Sequence, residues 1–115
     1  MTDLKVTRND AESRYELHLT DETHNGVLAG WAAFDQAPGR IRLTETVVDP
    51  AFRGKGVGTV LASDALADIA RRGDTIVPVC PFIADHLRKN EIAGAIVDWP
   101  GDTPLDSATQ GESPA

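Results

Sequence analysis

The chain has 115 residues, 41% hydrophobic and 25% charged, the size and composition of one globular domain rather than of a disordered chain. Its net charge of −7 at pH 7 argues against a nucleic-acid partner, which would need a basic surface. Cys80 is the single cysteine, which excludes an intrachain disulfide and a zinc site of several cysteines. No apolar run approaches the ~20 residues of a membrane span. The start, Met1-Thr2-Asp3-Leu4-Lys5, lacks the apolar stretch of a secretory signal, so a cytoplasmic protein without a membrane partner is expected.

Residues 4–8 and 14–19 read as two short strands, and in the second Tyr15, Leu17 and Leu19 share one face. Asn25-Gly26 is a turn signal, followed by a third strand from Val27 to Phe34. Pro38-Gly39 marks the next turn. Ile41 to Val48 is the fourth strand, with Ile41 and Leu43 on one face and Glu45 and Val47 joining them if the alternation continues. Strands linked this closely make an antiparallel meander. Asp49-Pro50 ends the fourth strand, since proline disfavours a continuing ladder.

From Val57 to Arg72 the period is helical: Leu61, Ala62, Ala65, Leu66 and Ile69 form an apolar face opposite Ser63, Asp64, Asp68 and Arg71. Arg71-Arg72-Gly73 is a helix stop, two cations at the negative end of the dipole and then a glycine suited to a left-handed cap. Ile76 to Val79 is a fifth strand, in which Pro78 predicts that one edge is unpaired. Pro81 to Asn90 forms a second helix with proline in its first turn. Residues 91–99, with Ile92, Ile96, Val97 and Trp99, supply a last strand or a packed segment. The order predicts an α+β fold, a mixed sheet with helices packed on it, spanning residues 1–100. Residues 101–115 have Leu105 as their one strongly apolar side chain and include Asp102, Asp106 and Glu112, so an acidic, disordered tail is expected there.

The most informative stretch is Arg53-Gly54-Lys55-Gly56-Val57-Gly58-Thr59, which leaves the fourth strand and enters the first helix. Three alternating glycines let backbone turn sharply and bring its N–H groups against a ligand. A helix N-terminus adds unpaired N–H groups and partial positive charge, and Arg53 and Lys55 add full charges. The sum is a site for phosphate or pyrophosphate. It is not a nucleotide-triphosphatase loop, because Gly56 follows Lys55 where a hydroxyl ligand for magnesium is needed. Nor is it the dinucleotide fingerprint, because Thr59 takes the third glycine's place and antiparallel strands precede it.

This loop resembles the Arg/Gln-x-x-Gly-x-Gly/Ala loop of the GCN5-related N-acetyltransferases, above all their minimal subfamily of about one hundred residues. Val77-Pro78-Val79-Cys80-Pro81-Phe82 resembles the hydrophobic-Pro-x-Cys-Pro/Ser-Phe/Tyr segment that follows the loop there, and Thr44-Glu45-Thr46-Val47 resembles the Thr-Glu-Val strand before it. The resemblance spans about residues 4–97. It implies transfer of an acetyl group from acetyl-CoA, as co-substrate and without a metal, to an amine on a small molecule, a protein lysine or a protein N-terminus, by a monomer. It implies pyrophosphate on Arg53, Gly54, Lys55, Gly56, Val57, Gly58 and Thr59, and a strand-like pairing of the pantetheine arm with the backbone of Val47 and Val48.

In that family the fourth and fifth strands splay, and the thioester lies near the end of the fifth, where Cys80 falls. A thiol at a helix start is favoured as thiolate and could carry the acetyl group; the alternative is a small buried hydrophobe. Glu45 is the candidate base for the attacking amine; the alternative is an exposed strand carboxylate paired with Arg40 or Arg42. His18, His24 and His86 have no metal-ligand spacing; His24 is expected in solvent and His86 at the surface rather than in the cleft. Trp31 and Trp99 read as core or edge packing. Larger relatives carry an Asn-x-x-Ala-x-x-x-Tyr pattern; aligned on Ala84, it puts Pro81 at the asparagine and Arg88 at the tyrosine, so the usual phenolic acid is absent. Two further readings stay open: a non-catalytic CoA-binding module using the same loop, and a protein-interaction domain using a free sheet edge.

Overall fold

The computed structural model describes residues 2–100; the tail expected at 101–115 lies outside them. The elements are β1 (Asp3–Asn9), β2 (Arg14–Thr20), β3 (Val27–Ala37), β4 (Arg40–Val48), α1 (Val57–Arg72), β5 (Thr75–Pro78), α2 (Pro81–Lys89) and β6 (Ile96–Val97). They form a six-stranded mixed sheet in the order β1-β2-β3-β4-β5-β6. The meander through β4 is antiparallel, and β5 and β6 add to it in parallel. The segment 91–99 thus contributes a two-residue strand.

The core follows from the two periodicities. Tyr15, Leu17 and Leu19 of β2 and Ile41 and Leu43 of β4 meet Leu61, Leu66 and Ile69 of α1, and all are buried. Each such aliphatic side chain contributes about 1.5–3 kcal/mol on burial. Gly73 ends α1 at φ +82°, with its N–H bonded back to Ala70 and Ile69 carbonyls, as the stop signal predicts.

Alternation fails in the middle of β4, and a bulge is the reason. Leu43 pairs with Phe34 but Glu45 pairs with Ala33, which leaves Thr44 as an extra residue. One extra residue exchanges the two faces of everything after it. Ile41 and Leu43 point into the core, and beyond the bulge Thr46, opposite buried Ala32, and Val48 take the inward face. Glu45 and Val47 are turned to the other side of the sheet, contrary to the expectation that they continue the face of Ile41 and Leu43.

Helices α1 and α2 lie side by side on the inward face. Ser63 Oγ of α1 is 3.1 Å from His86 Nε2 of α2, and His86 is buried rather than at the surface. Among the described residues the opposite face carries no helix. There Arg14 stacks on Trp31 at 4.9 Å and bonds Glu16 at 2.7 Å. Trp99 packs under Arg88 at 4.9 Å, the edge packing expected of it.

Asp68 ties α1 to the sheet. It accepts a hydrogen bond from the Tyr15 hydroxyl at 2.6 Å, and Arg71 and Arg72 both bond it. Burial alone would raise its pKa, but the Tyr15 hydroxyl and the Arg72 and Arg71 charges outweigh this and hold it below its usual value. Burial, and then the bond to Asp68, push Tyr15 up to about 12.

The signs predict loss of stability at both ends of the pH scale. Asp68 contributes above its unfolded pKa of about 4, and that contribution is lost as pH falls through its depressed folded value. Tyr15 contributes below about pH 10 and its contribution is lost as pH rises through 12. Asp68→Asn should lower stability at pH 7 by about 1.5–3 kcal/mol, with the deficit shrinking toward about pH 2. Denaturant melts at both pH values check this; a deficit that does not change with pH would contradict it.

Candidate functional site

The site begins where β4 and β5 part. Thr75 donates its N–H to Gly39, and Val79 donates to the Leu43 carbonyl, so alternate β5 residues face β4. The next donor in that register is residue 81, a proline with no N–H. Cys80 instead directs its own N–H to the same Leu43 carbonyl at 2.8 Å, and the chain turns into α2. Pro78 faces the other way, toward β6, where pairing stops at Ile76; this is the unpaired edge its presence predicts. Thr44 to Val48 therefore run on with no strand partner on the β5 side among the described residues.

The backbone of that free edge can be assigned. Asp49 donates its N–H to Ala29 of β3 at 2.8 Å, so by alternation Val47 also faces β3. Thr46 and Val48 turn their N–H and C=O groups toward the gap. Of the expected pair Val47 and Val48, only Val48 presents backbone there, and Thr46 joins it. Alternation lets only one of two neighbours face the gap; the bulge at Thr44 makes it Val48 rather than Val47, and the residue sequence carries no mark of it.

Cys80 closes the inner end of the gap. It is buried, and its Sγ lies 3.5 Å from Thr46 Oγ1. Glu45 lies on the opposite sheet face, exposed, and makes no ion pair among the described residues. Of its two expected alternative partners, Arg40 bonds Asp98 instead, and Arg42 makes no ion pair with it among the described residues. The structure thus separates the two candidate chemical groups, Cys80 inside and Glu45 outside. Thr46 was not singled out in the sequence, because an alternating strand would have put it outside.

The glycine loop starts from an anchored turn. Asp49 accepts from the Ala51 N–H at 2.9 Å and caps a short 3₁₀ turn, Pro50–Phe52. Phe52 is buried, and His24 packs edge-on against it with ring centroids 5.0 Å apart. His24 also bonds Asp21 at 2.9 Å; it is half-buried in this contact rather than free in solvent. Beyond the turn, Arg53 and Lys55 are exposed. The amides from Gly54 through Thr59 donate to nothing among the described residues; the first helical bond is Val60 N–H to Gly56.

The three glycines are there for two different reasons. Gly54 and Gly56 have φ of +81° and +76°, and a Cβ on either would meet nothing within 4 Å. They serve the left-handed backbone that turns the chain into α1, with Gly56 as its N-cap. Gly58 has ordinary helical backbone, but a Cβ there would come within 3.1 Å of the Phe82 ring. The expectation that all three serve the turn is therefore corrected for Gly58, which makes room for α2.

Loop, Val48, Phe52 and Phe82 enclose an open cavity of about 350 Å³ that meets the outer end of the β4 edge. Free amides, two exposed cations and a helix N-terminus suit it to a phosphate-bearing ligand. Among the described residues no group of three His, Cys, Asp or Glu is placed to hold a metal, and no helix is long and apolar enough to cross a membrane.

A family profile described as GCN5-related N-acetyl-transferase matches residues 14–95. No curated protein sequence matches the chain. A solved structure similar to it is the ribosomal-protein-S18-alanine N-acetyltransferase from Escherichia coli, at 14% identity and a TM-score of 0.48. That likeness covers 66% of this chain and 64% of the other, and it carries no argument about substrate or partner.

The loop geometry sets a stability test. Gly54→Ala and Gly56→Ala should each cost about 1–2 kcal/mol, from left-handed backbone alone. Gly56→Asn should recover part of that loss, since asparagine tolerates this region better. Thermal melting checks the series; a Gly56→Ala protein as stable as the parent would contradict the assigned loop conformation.

Proposed function

The chain belongs to the GCN5-related N-acetyltransferase family, and from that premise we propose that it moves the acetyl group of acetyl-CoA to an amine. The observation that carries the proposal is the meeting, at one cavity, of the unpaired loop amides with the unpaired edge of β4. In this reading the pyrophosphate lies on the N–H groups of Gly54, Lys55, Gly56, Val57, Gly58 and Thr59. Arg53 and Lys55 neutralise its charge. The amides of the pantetheine arm pair with the open backbone of Val48 and Thr46, completing the strand partner that β5 ceases to be. The thioester then reaches the inner end of the gap.

The chemistry is direct in this reading. The amine nitrogen attacks the thioester carbonyl carbon, a C–N bond forms, the C–S bond breaks, and the CoA thiolate leaves and takes up a proton from solvent. Glu45 accepts the proton the amine loses, directly or through water, from the sheet face that no helix of the described residues covers. Access from that face suits an amine carried on a larger molecule. The burial of Cys80 favours its packing beside Thr46 over its carrying the acetyl group. A non-catalytic acetyl-CoA-binding role is the second reading. It is favoured by the separation of Glu45 from the inner end of the gap, and by Arg88 standing where larger relatives have a tyrosine.

Incubation with acetyl-CoA alone should leave the intact mass unchanged; an acetyl adduct on Cys80 that hydroxylamine removes would instead establish the covalent route. Arg53→Ala should weaken CoA more than a pantetheine fragment without phosphates, by the about 1.5–3 kcal/mol of a charged hydrogen bond. Equal losses for both would place Arg53 away from the phosphates. With an acceptor amine supplied, Glu45→Gln should lower transfer by about 10²-fold or more with CoA affinity unchanged. Unchanged transfer would remove Glu45 from the mechanism.

A further inference from the structure

The sheet face that no helix of the described residues covers is patterned around Glu45. Across three strands the register sets Arg14 of β2, Ala33 of β3 and Glu45 of β4 side by side. Arg14 and Ala33 point away from the helices because their neighbours Tyr15 and Ala32 are buried in the core. Strands lie about 4.8 Å apart, so the backbones of Arg14 and Glu45 are about 10 Å from each other. The Arg14 side chain shortens that span, since its guanidinium leans off β2 and lies over the Trp31 ring of β3 at 4.9 Å. Its Nε donates to Glu16 at 2.7 Å, so stacking and ion pair together fix one orientation. The side chain is still 25% exposed, within reach of a ligand. Between this cation and Glu45 the register places the methyl group of Ala33.

Taking the transfer reading of the preceding section as given, with Glu45 as the base, we infer that Arg14 selects the acceptor, an amine that carries a carboxylate on the same molecule. The amine lies at Glu45, the carboxylate lies on Arg14, and the link between them crosses Ala33. The bond to Glu16 uses Nε and leaves the terminal N–H groups of Arg14 for a ligand. Those groups form a planar fork that matches the two oxygens of a carboxylate, and a fork already seated on an aromatic ring loses little freedom on binding. Glu16 and Glu45 flank the path and oppose a doubly charged phosphate more than a singly charged carboxylate. Glu45 also sets the direction of entry, because it repels the carboxylate end. Arg42 is a second outward cation on β4, but it is exposed and the register sets it opposite Asp35, whose charge offsets its own. Arg14 is the cation that the fold holds in place.

Transfer from acetyl-CoA to three amidated dipeptides with a free N-terminus, Gly-Asp, Gly-Asn and Gly-Lys, tests this, read as release of the CoA thiol. Gly-Asp should exceed Gly-Asn, which has the same shape and no charge, by about fivefold or more in kcat/KM, and Gly-Lys should be the poorest. The advantage should lie in KM and shrink in about 0.5 M salt. Arg14→Gln should bring Gly-Asp and Gly-Asn within about twofold of each other. A role confined to holding the sheet would lower both and keep their ratio, and that result overturns the inference. Should Arg14→Gln fail to fold, Arg14→Lys carries the test: it keeps the charge and loses the fork, and the ratio should fall by about half. Equal rates for Gly-Asp and Gly-Asn in the parent protein, or a preference for Gly-Lys, overturn the inference and leave the transfer reading standing. If the parent transfers to none of the three, the transfer reading fails and this inference with it.

Discussion

A single carbonyl, that of Leu43, takes the two N–H groups that follow directly on β5. Val79 and Cys80 both converge on it, and Pro81 cannot continue the ladder because it has no N–H. Chain that would have been strand becomes helix α2, and β4 is left with an unpaired edge deep in the sheet rather than at its rim. An unpaired edge inside a fold exposes donors and acceptors that need a partner. Among the described residues no further strand supplies that partner, and the geometry leaves room for an amide-bearing ligand. The floor of the gap, its backbone edge and the start of α2 all follow from this one interruption.

The second requirement is that charge be met at the outer end of the same gap. The turn after β4 is held by Asp49, Phe52 and His24, so the loop leaves the sheet in a set direction. Gly54 and Gly56 then bend backbone into left-handed conformations that an ordinary residue would occupy only at a cost, and α1 begins with its N–H groups aimed outward. Gly58 lets α2 come close enough for Phe82 to span the two helices. Behind the seam Leu61 and Ile83 are both fully buried in the core, which packs the two helices onto the sheet.

Most of the fold could be read from residue patterns, because each element carries its own signal. The period-two run around Tyr15, the apolar face of α1, the glycine at 73 and the proline at 81 each fix a boundary by local physics. Reading failed where the cause was non-local. Thr44 has no property that announces a bulge, yet it decides that Thr46 faces Cys80 and Glu45 does not. His86 looked like a surface residue because its half-buried partner, Ser63, lies on another helix. Gly58 looked like its neighbours in the loop, because a glycine chosen for close approach and one chosen for left-handed backbone are spelled the same way. The loop's glycines and its two cations, the features that suit it to a phosphate, were legible, since they sit together in one stretch of chain.

The central claim is that the unpaired amides of the loop and of the β4 edge take one ligand between them. Titration of ¹⁵N-labelled protein with acetyl-CoA, followed by amide shifts, addresses that claim residue by residue. The account predicts saturable shifts concentrated at Gly54, Lys55, Gly56, Val57, Gly58 and Thr59 and, in the same titration, at Thr46 and Val48, while Val47, held to β3, moves far less. Shifts confined to the loop, shifts gathered on the uncovered sheet face, or no saturable shift at all would contradict it.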